Sequence, residues 1–291
     1  MDFQLTEDQR DLQQGVRELL AGRFDREALR DLADGPEGPV LDRELWRELG
    51  AAGFFALRLP ESEGGVGLGL PEAVLAFEEA GRALLPGPLV ATHLAAGAVE
   101  GAATGDTVVT AVDSSGLVPW LDAADVVRGD AAGAVPVRSA DPLTPLHRAP
   151  ARPPAAQDPV AVLLTAAEQL GSAARSCETA VTYARERSQF GQPIGAFQAV
   201  KHLCAQMLVR TELARAAVYA AAVTADPAEI RAAGLLADEA AVRGARDCLQ
   251  VYGGMGFTWE ADVHLHLKRA WLRSELGPSA GAVEEEWAAA L

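Results

Sequence analysis

Residues 183–198 read YARERSQFGQPIGAFQ, the first of three specific stretches in the chain. Apolar residues recur at helical spacing on both sides of it, so the stretch predicts a turn between two helices. Arg187 offers a planar fork of donors that suits a phosphate, and Phe190 offers a flat apolar face. An isolated Arg-x-x-Phe-Gly string is most often a helix–helix turn with a surface arginine. The full string is too long for that interpretation.

The flanking sequence predicts a mainly α protein. Residues 1–100 read as helices separated by tight breaks, and Thr6 before Glu7 is a helix start because its hydroxyl can accept from free backbone N–H groups. Four long amphipathic segments follow later and predict a C-terminal four-helix bundle: 160–187, 197–222, 227–251 and 263–276.

The middle of the chain has a different pattern. Short β-branched runs at 107–112, 124–127 and 135–137 predict strands, and the proline-rich stretch 142–154 reads as irregular or as a linker. We therefore expect an N-terminal helical domain over 1–103, a reduced β-type segment with a linker over 104–157, and a helical bundle over 158–291.

Composition narrows the class of protein. The chain has 291 residues, a net charge of -16 and 49% hydrophobic residues. An acidic surface repels nucleic acid and anionic lipid, so neither is an expected partner. Its three cysteines (Cys177, Cys204 and Cys248) form no metal-type pair. With no leader sequence and no apolar run of about 18 residues, the chain is expected to be cytoplasmic.

A second motif follows the third C-terminal helix, in residues 250–257, QVYGGMGF. The adjacent glycines Gly253 and Gly254 let a backbone approach a ligand closely, and Gln250 supplies an amide. The plain alternative is a glycine helix cap with no ligand. A dinucleotide fingerprint is excluded, because no strand precedes the glycines and their spacing differs.

Together with residues 59–69 and 78–82, these motifs resemble the acyl-CoA dehydrogenase family, especially its actinobacterial type. The resemblance covers about residues 1–100 and 158–276. It implies an oxidoreductase of fatty acid or steroid side-chain metabolism that converts an acyl-CoA to the 2,3-enoyl-CoA with FAD. A carboxylate removes the α-proton, and the β-hydrogen leaves as hydride.

The same resemblance implies a division of the flavin site between subunits. Arg187, Gln189, Phe190 and Gln198 would meet FAD in their own subunit. Gln250, Gly253 and Gly254 would reach the FAD of a neighbouring subunit. We therefore expect a dimer or a tetramer with the C-terminal helices in the interface.

The sequence departs from the family at the catalytic base. The two places where the family carries its glutamate fall on Gly277 and near Ala161, and neither is acidic. Glu275 is interpreted as a surface carboxylate, since two residues along a helix rotate a side chain by about 200°. Glu168 lies about two turns from Ala161, and Glu260 is interpreted as structural. The catalytic residue is thus unknown.

The middle segment is also shorter than the family's β-domain and lacks its Thr-Glu-Pro-type and Trp-Ile-Thr-type motifs. Three functions remain open at this point. The leading one is that the chain is a subunit of a heteromeric acyl-CoA dehydrogenase whose partner, a second acyl-CoA dehydrogenase-like subunit, supplies the glutamate. The expected assembly is a heterotetramer or a homodimer. The alternatives are a flavin-free pseudoenzyme or structural partner subunit, and use of the fold for a non-redox biosynthetic step. The acyl substrate is not determined.

Five other charged or titratable residues carry no predicted chemistry. His264 and His266 stand at i and i+2, on different sides of a helix, so they are interpreted as surface or packing residues. Arg185, Lys268 and Arg269 are interpreted as ordinary surface or subunit-contact charges.

Overall fold

The computed structural model describes residues 4–36, 38–150 and 158–276, together with residues 281, 283, 285 and 288. The N-terminal part folds into five helices: α1 (Glu7–Arg23), α2 (Arg26–Asp34), α3 (Arg43–Ala51), α4 (Leu70–Arg82) and α5 (Leu89–Ala95). The predicted start of α1 is confirmed. Thr6 Oγ1 accepts from the Gln9 backbone N–H at 3.2 Å, and Gln9 Oε1 accepts from the Thr6 N–H at 3.1 Å.

The C-terminal part contains the four predicted helices: α6 (Pro159–Glu186), α7 (Gln198–Thr224), α8 (Pro227–Tyr252) and α9 (Val263–Leu276). Their observed ends lie within two residues of the predicted ones. Asp158 and Asp226 cap α6 and α8 by accepting backbone N–H groups of the first turn. The mainly α fold with a C-terminal bundle is therefore confirmed.

The middle segment carries two small sheets. Its strands are β1 (Val109–Ala111), β2 (Leu117–Pro119), β3 (Val126–Arg128), β4 (Val135–Val137) and β5 (Leu146–Arg148). β1 pairs in parallel with β3, and β5 lies between β2 and β4 in an antiparallel sheet. A hairpin of β6 (Ser188–Gln189) and β7 (Gln192–Pro193) follows α6.

The prediction of an irregular stretch over 142–154 is wrong where β5 forms. Three residues are too few to show an alternating pattern, and β5 is held by partners about 30 residues away in β2. Residues 151–154 of that stretch lie outside the described residues.

Helices α4 and α6 cross in backbone contact. A Cβ added at Gly81 would overlap the carbonyl of Glu168, and one added at Gly171 would overlap the carbonyl of Glu78. Two glycines, one on each helix, therefore permit the approach. This crossing fixes Glu168 relative to the N-terminal helices.

Arg269 corrects one sequence interpretation, because it is not a surface charge. Its side chain is 4% exposed and forms an ion pair with Asp141. The guanidinium also donates to the carbonyls of Leu85, at 3.2 Å, and Leu143, at 3.5 Å. The middle segment covers this face of α9 and binds to it through Arg269. The spacing of residues within α9 could not show that another segment of the chain covers this face.

No helix in the described part of the chain is long and apolar enough to cross a membrane.

Candidate functional site

The turn after α6 carries the first group of predicted cofactor residues. Arg187 caps α6, and Phe190 and Gly191 form the tip of the β6–β7 hairpin with φ of 54° and 78°. A left-handed conformation is costly for phenylalanine and is typical of sites where backbone geometry serves function. The Phe190 ring is 90% exposed. Arg187, Gln189 and Gln198 are exposed as well.

The second group lies at the end of α8. Gly253 ends the helix with a φ of 59°, and a Cβ at Gly253 or Gly254 would meet no atom within 4 Å. The backbone there is open to an approaching group, and the Gln250 side chain is exposed.

Stacked tyrosines join the two groups. The ring of Tyr183, one turn before Arg187, stacks on the ring of Tyr252 with centroids 3.9 Å apart. The turn after α6 and the glycines after α8 therefore lie at the same end of the bundle. The structure brings the two motifs together within one chain, while their roles toward FAD stay a prediction.

A cavity of about 460 Å³ lies between the bundle and the middle segment. Helices α5, α6, α8 and α9 and strands β1 and β2 contribute to its wall. Ala161, near one of the two places expected for the family's base, lines it and carries no carboxylate. Leu276 also lines it, and the adjacent Gly277, the other expected place, lies outside the described residues. Its size is within the range of small-molecule sites.

The three glutamates weighed from the sequence lie in different environments. Glu275 is exposed, as interpreted, and Glu260 is exposed as well. Glu168 lines the cavity but is buried, and it accepts from the guanidinium of Arg273. Burial raises the pKa of Glu168, against the opposing charges of Arg273 and Arg269. A carboxylate bound in such an ion pair is poorly placed to act as a base.

Sequence reasoning missed two cavity residues, Asp238 on α8 and Arg273 on α9. Gln169 Nε2 donates to Asp238 Oδ1 at 2.7 Å. Burial raises the pKa of Asp238 to about 6, while the Gln169 hydrogen bond and the Arg273 charge oppose that shift. No local pattern of the sequence points to either residue. Asp238 is turned about 100° around the helix from the buried Ala237, and Arg273 shares a helical face with Arg269, which reads as a surface charge.

The histidines behave as interpreted. His266 is buried, and its Nδ1 lies 2.8 Å from Ser172 Oγ. Burial lowers the pKa of His266 to about 3, so the ring is neutral. His264 stacks on Trp259 with centroids 4.6 Å apart. In the part of the chain that the structure describes, no cluster of His, Cys, Asp and Glu could hold a metal ion.

Comparisons of the sequence with known proteins identify the family to which this chain belongs. The family models "Acyl-CoA dehydrogenase, N-terminal domain" and "Acyl-CoA dehydrogenase, C-terminal domain" match residues 6–106 and 161–277. Acyl-CoA dehydrogenase IpdE2 of Mycobacterium tuberculosis is 36% identical over an alignment that covers 91% of each chain. The chain belongs to the acyl-CoA dehydrogenase family. This is a family of flavoprotein oxidoreductases with fatty acid and steroid members.

Two solved structures share the whole fold. A chain of the ChsE4–ChsE5 complex from Mycobacterium tuberculosis superposes with a TM-score of 0.82, at 27% identity over 99% of this chain and 98% of that one. A chain of the Tcur3481–Tcur3483 steroid acyl-CoA dehydrogenase, a G363A variant, also gives 0.82, at 26% identity over 97% and 99%. Each of these structures is named for two components.

Proposed function

We propose that this chain is a subunit of a heteromeric FAD-dependent acyl-CoA dehydrogenase, whose partner subunit supplies the catalytic glutamate. One observation carries the proposal: Ala161, which lies near a place where the family is expected to carry its base, lines the cavity and offers no carboxylate. The paired names of the two solved relatives support a two-component assembly. The substrate is an acyl-CoA of the fatty acid or steroid side-chain type.

The residues after α6 fit a flavin dinucleotide. The Arg187 guanidinium would pair with its diphosphate, and Phe190 would pack a flat face against a ring. Gln189 and Gln198 add amide donors on the same exposed turn. When bound there, FAD supplies the hydride acceptor. The open backbone at Gly253 and Gly254 would approach the cofactor of a neighbouring subunit.

The cavity would bury the acyl group. Leu94, Val162, Leu235 and Leu272 give it an apolar wall. Removing apolar surface of the acyl chain from water there would supply about 25 cal/mol per Å². The α-carbon must then meet a base, and Ala161 cannot be that base.

Arg187→Ala should lower flavin occupancy. Loss of a charged hydrogen bond costs about 1.5–3 kcal/mol, or roughly 10–100-fold in affinity. The measurement is flavin absorbance per mole of protein after gel filtration of the complex. Arg185→Ala, two residues away and also exposed, is the matched control and should retain flavin. Full occupancy in the Arg187 variant would contradict the assigned contact.

A complex of this chain with a glutamate-bearing relative tests which subunit supplies the catalytic base. An acyl-CoA should bleach the bound flavin, and Glu→Gln in the partner should stop this. Glu275→Gln in this chain should leave it nearly intact, because Glu275 is exposed on α9. If Glu275→Gln abolished turnover in a folded complex, the base would lie in this chain. A colourless complex would favour the flavin-free alternative.

An apolar stripe on α7 is the proposed partner contact. Leu208, Val209, Leu213 and Val223 are each more than half exposed. Clustered exposed apolar side chains mark association surfaces.

Leu213→Glu should therefore dissociate the assembly, because a carboxylate would be buried against the partner. Sedimentation velocity measures the change in mass. Val135→Glu places the same charge at a similarly exposed valine of β4 and should not alter the assembly. An unchanged sedimentation coefficient for the Leu213 variant would remove α7 from the interface.

A further inference from the structure

The cavity has an open end and a closed end, which the exposure of residues along α6 distinguishes. Asp158, before the first turn, is exposed, Ala161 and Thr165 are half-buried, and Gln169 is fully buried. These residues follow one another by about one turn and share a face of the helix. The cavity therefore opens beside Asp158 and closes towards Gln169, about 12 Å along α6 from Ala161.

Helix α8 forms the facing wall. Arg231, Gly234, Leu235 and Asp238 line the cavity at the spacing of a single helical face. A Cβ added at Gly234, one turn before Asp238, would touch only Val162 Cγ1, at 3.4 Å. The space in front of Asp238 is thus not filled by the preceding turn of its own helix.

Asp238 is held at the closed end by Gln169. The Gln169 Nε2 donates to Asp238 Oδ1 at 2.7 Å and to the Ala270 carbonyl at 3.0 Å, so the backbone of α9 fixes the amide and the amide fixes the carboxylate. No described residue donates to Asp238 Oδ2, and the side chain is only half-buried. Its pKa of about 6 leaves the carboxyl mostly ionised at neutral pH, so Oδ2 is a free acceptor at the cavity.

The other carboxylates that line the cavity already have donors. Glu168 accepts from the guanidinium of Arg273, and Asp158 accepts from the first turn of α6. Asp113 accepts from backbone N–H groups of its own turn. Among the described carboxylates of the wall, Asp238 is the one that keeps an oxygen available for a ligand.

Between the open end and Asp238 the wall is apolar, with Val162, Leu235 and Leu272. An unbranched acyl chain would place its terminal methyl group against the carboxylate. That contact removes water from a charged acceptor and returns no hydrogen bond, which is costly. A hydroxyl group at the same place would replace the water and donate to the carboxylate.

We propose that the cavity selects acyl-CoA substrates whose acyl group carries a hydroxyl at its distal end, and that Asp238 Oδ2 accepts a hydrogen bond from this hydroxyl. Asp238 is then a specificity-determining residue and takes no part in proton or hydride transfer. The inference rests on the proposed function, since it requires the cavity to bind the acyl group, and it adds the chemical class of that group.

Two isosteric ligands test the selectivity. ω-Hydroxydecanoyl-CoA and undecanoyl-CoA have chains of equal length that end in a hydroxyl and a methyl group. Each is titrated calorimetrically into the full chain, alone and in a complex whose partner carries Glu→Gln, so that no turnover occurs. The wild-type protein should bind the hydroxylated ligand about 10–100-fold more tightly, the value of a hydrogen bond to a charged group.

Variants at Asp238 assign the preference to its carboxylate. Asp238→Leu should reverse it, so that undecanoyl-CoA binds more tightly. Asp238→Asn keeps the shape of the side chain and should reduce the preference to less than about 10-fold, which preserves the test if the leucine variant does not fold. Glu239→Gln, at the exposed next residue of α8, should keep the wild-type ratio. A purely structural role of Asp238 would weaken both ligands alike and leave the ratio unchanged.

Three results would overturn the proposal. They are equal or tighter binding of undecanoyl-CoA by the wild-type protein, an unchanged ratio in the folded Asp238 variants, and no binding of either ligand to the chain or the complex. Failure of the dehydrogenase proposal is seen separately, as flavin in the unmodified complex that neither ligand reduces. Equal reduction of the flavin by both ligands would refute the selectivity alone.

Discussion

Replacing Gly171 by alanine is expected to destabilise the protein by about 3 kcal/mol, the upper end of the usual cost of overpacking a core, because the clash is with backbone. The added methyl group would overlap the Glu78 carbonyl of α4, so the two helices must separate. Backbone cannot move aside as the end of a flexible side chain can. Urea unfolding followed by circular dichroism measures the loss, which is a large part of a typical net stability of 5–15 kcal/mol.

Gly244 provides the matched control on α8. A Cβ there meets no atom within 4 Å, so Gly244→Ala should be neutral or stabilise the helix by up to about 1 kcal/mol. Equal unfolding midpoints for the Gly171 and Gly244 variants would mean that α4 and α6 do not cross in backbone contact. Because the crossing positions Glu168, the Gly171 variant should also disturb the cavity wall.

Arg269→Met should destabilise the fold by about 3–5 kcal/mol, the cost of leaving one buried ion without its partner. Asp141 would remain in the core, where its Oδ1 accepts from the Leu143 N–H and its Oδ2 from Thr144. The Leu85 and Leu143 carbonyls would also lose a donor. Thermal and urea unfolding both report the change.

A double variant distinguishes charge from packing. Asp141→Asn combined with Arg269→Met removes both charges and should recover part of the loss. Arg243→Met is the surface control. Arg243 pairs with Glu239 at 3.3 Å while 63% exposed, so its loss should stay within about 0.5 kcal/mol. A stable Arg269 single variant would show that the middle segment does not depend on this contact.

Local patterns in the sequence predicted most helices because the information they need is local. Apolar spacing identified α6 to α9 within two residues, and the Thr6 cap marked the start of α1. The two motifs after α6 and α8 could also be identified from the sequence, since each is a continuous string next to a helix end. Their placement at one end of the bundle follows from the Tyr183–Tyr252 stack. No spacing rule gives that contact.

By itself the sequence determined the helical class, the family motifs and the absence of a carboxylate at Ala161. Only the tertiary structure decided which charged residues are buried. Arg269 meets Asp141 across 128 residues of chain, and Arg273 meets Glu168 across 105. The formation of the short strand β5 and the position of Asp238 at the cavity likewise depend on the tertiary structure. Periodicity shows which face of an element is apolar, whereas burial of a charge depends on distant segments that cover it.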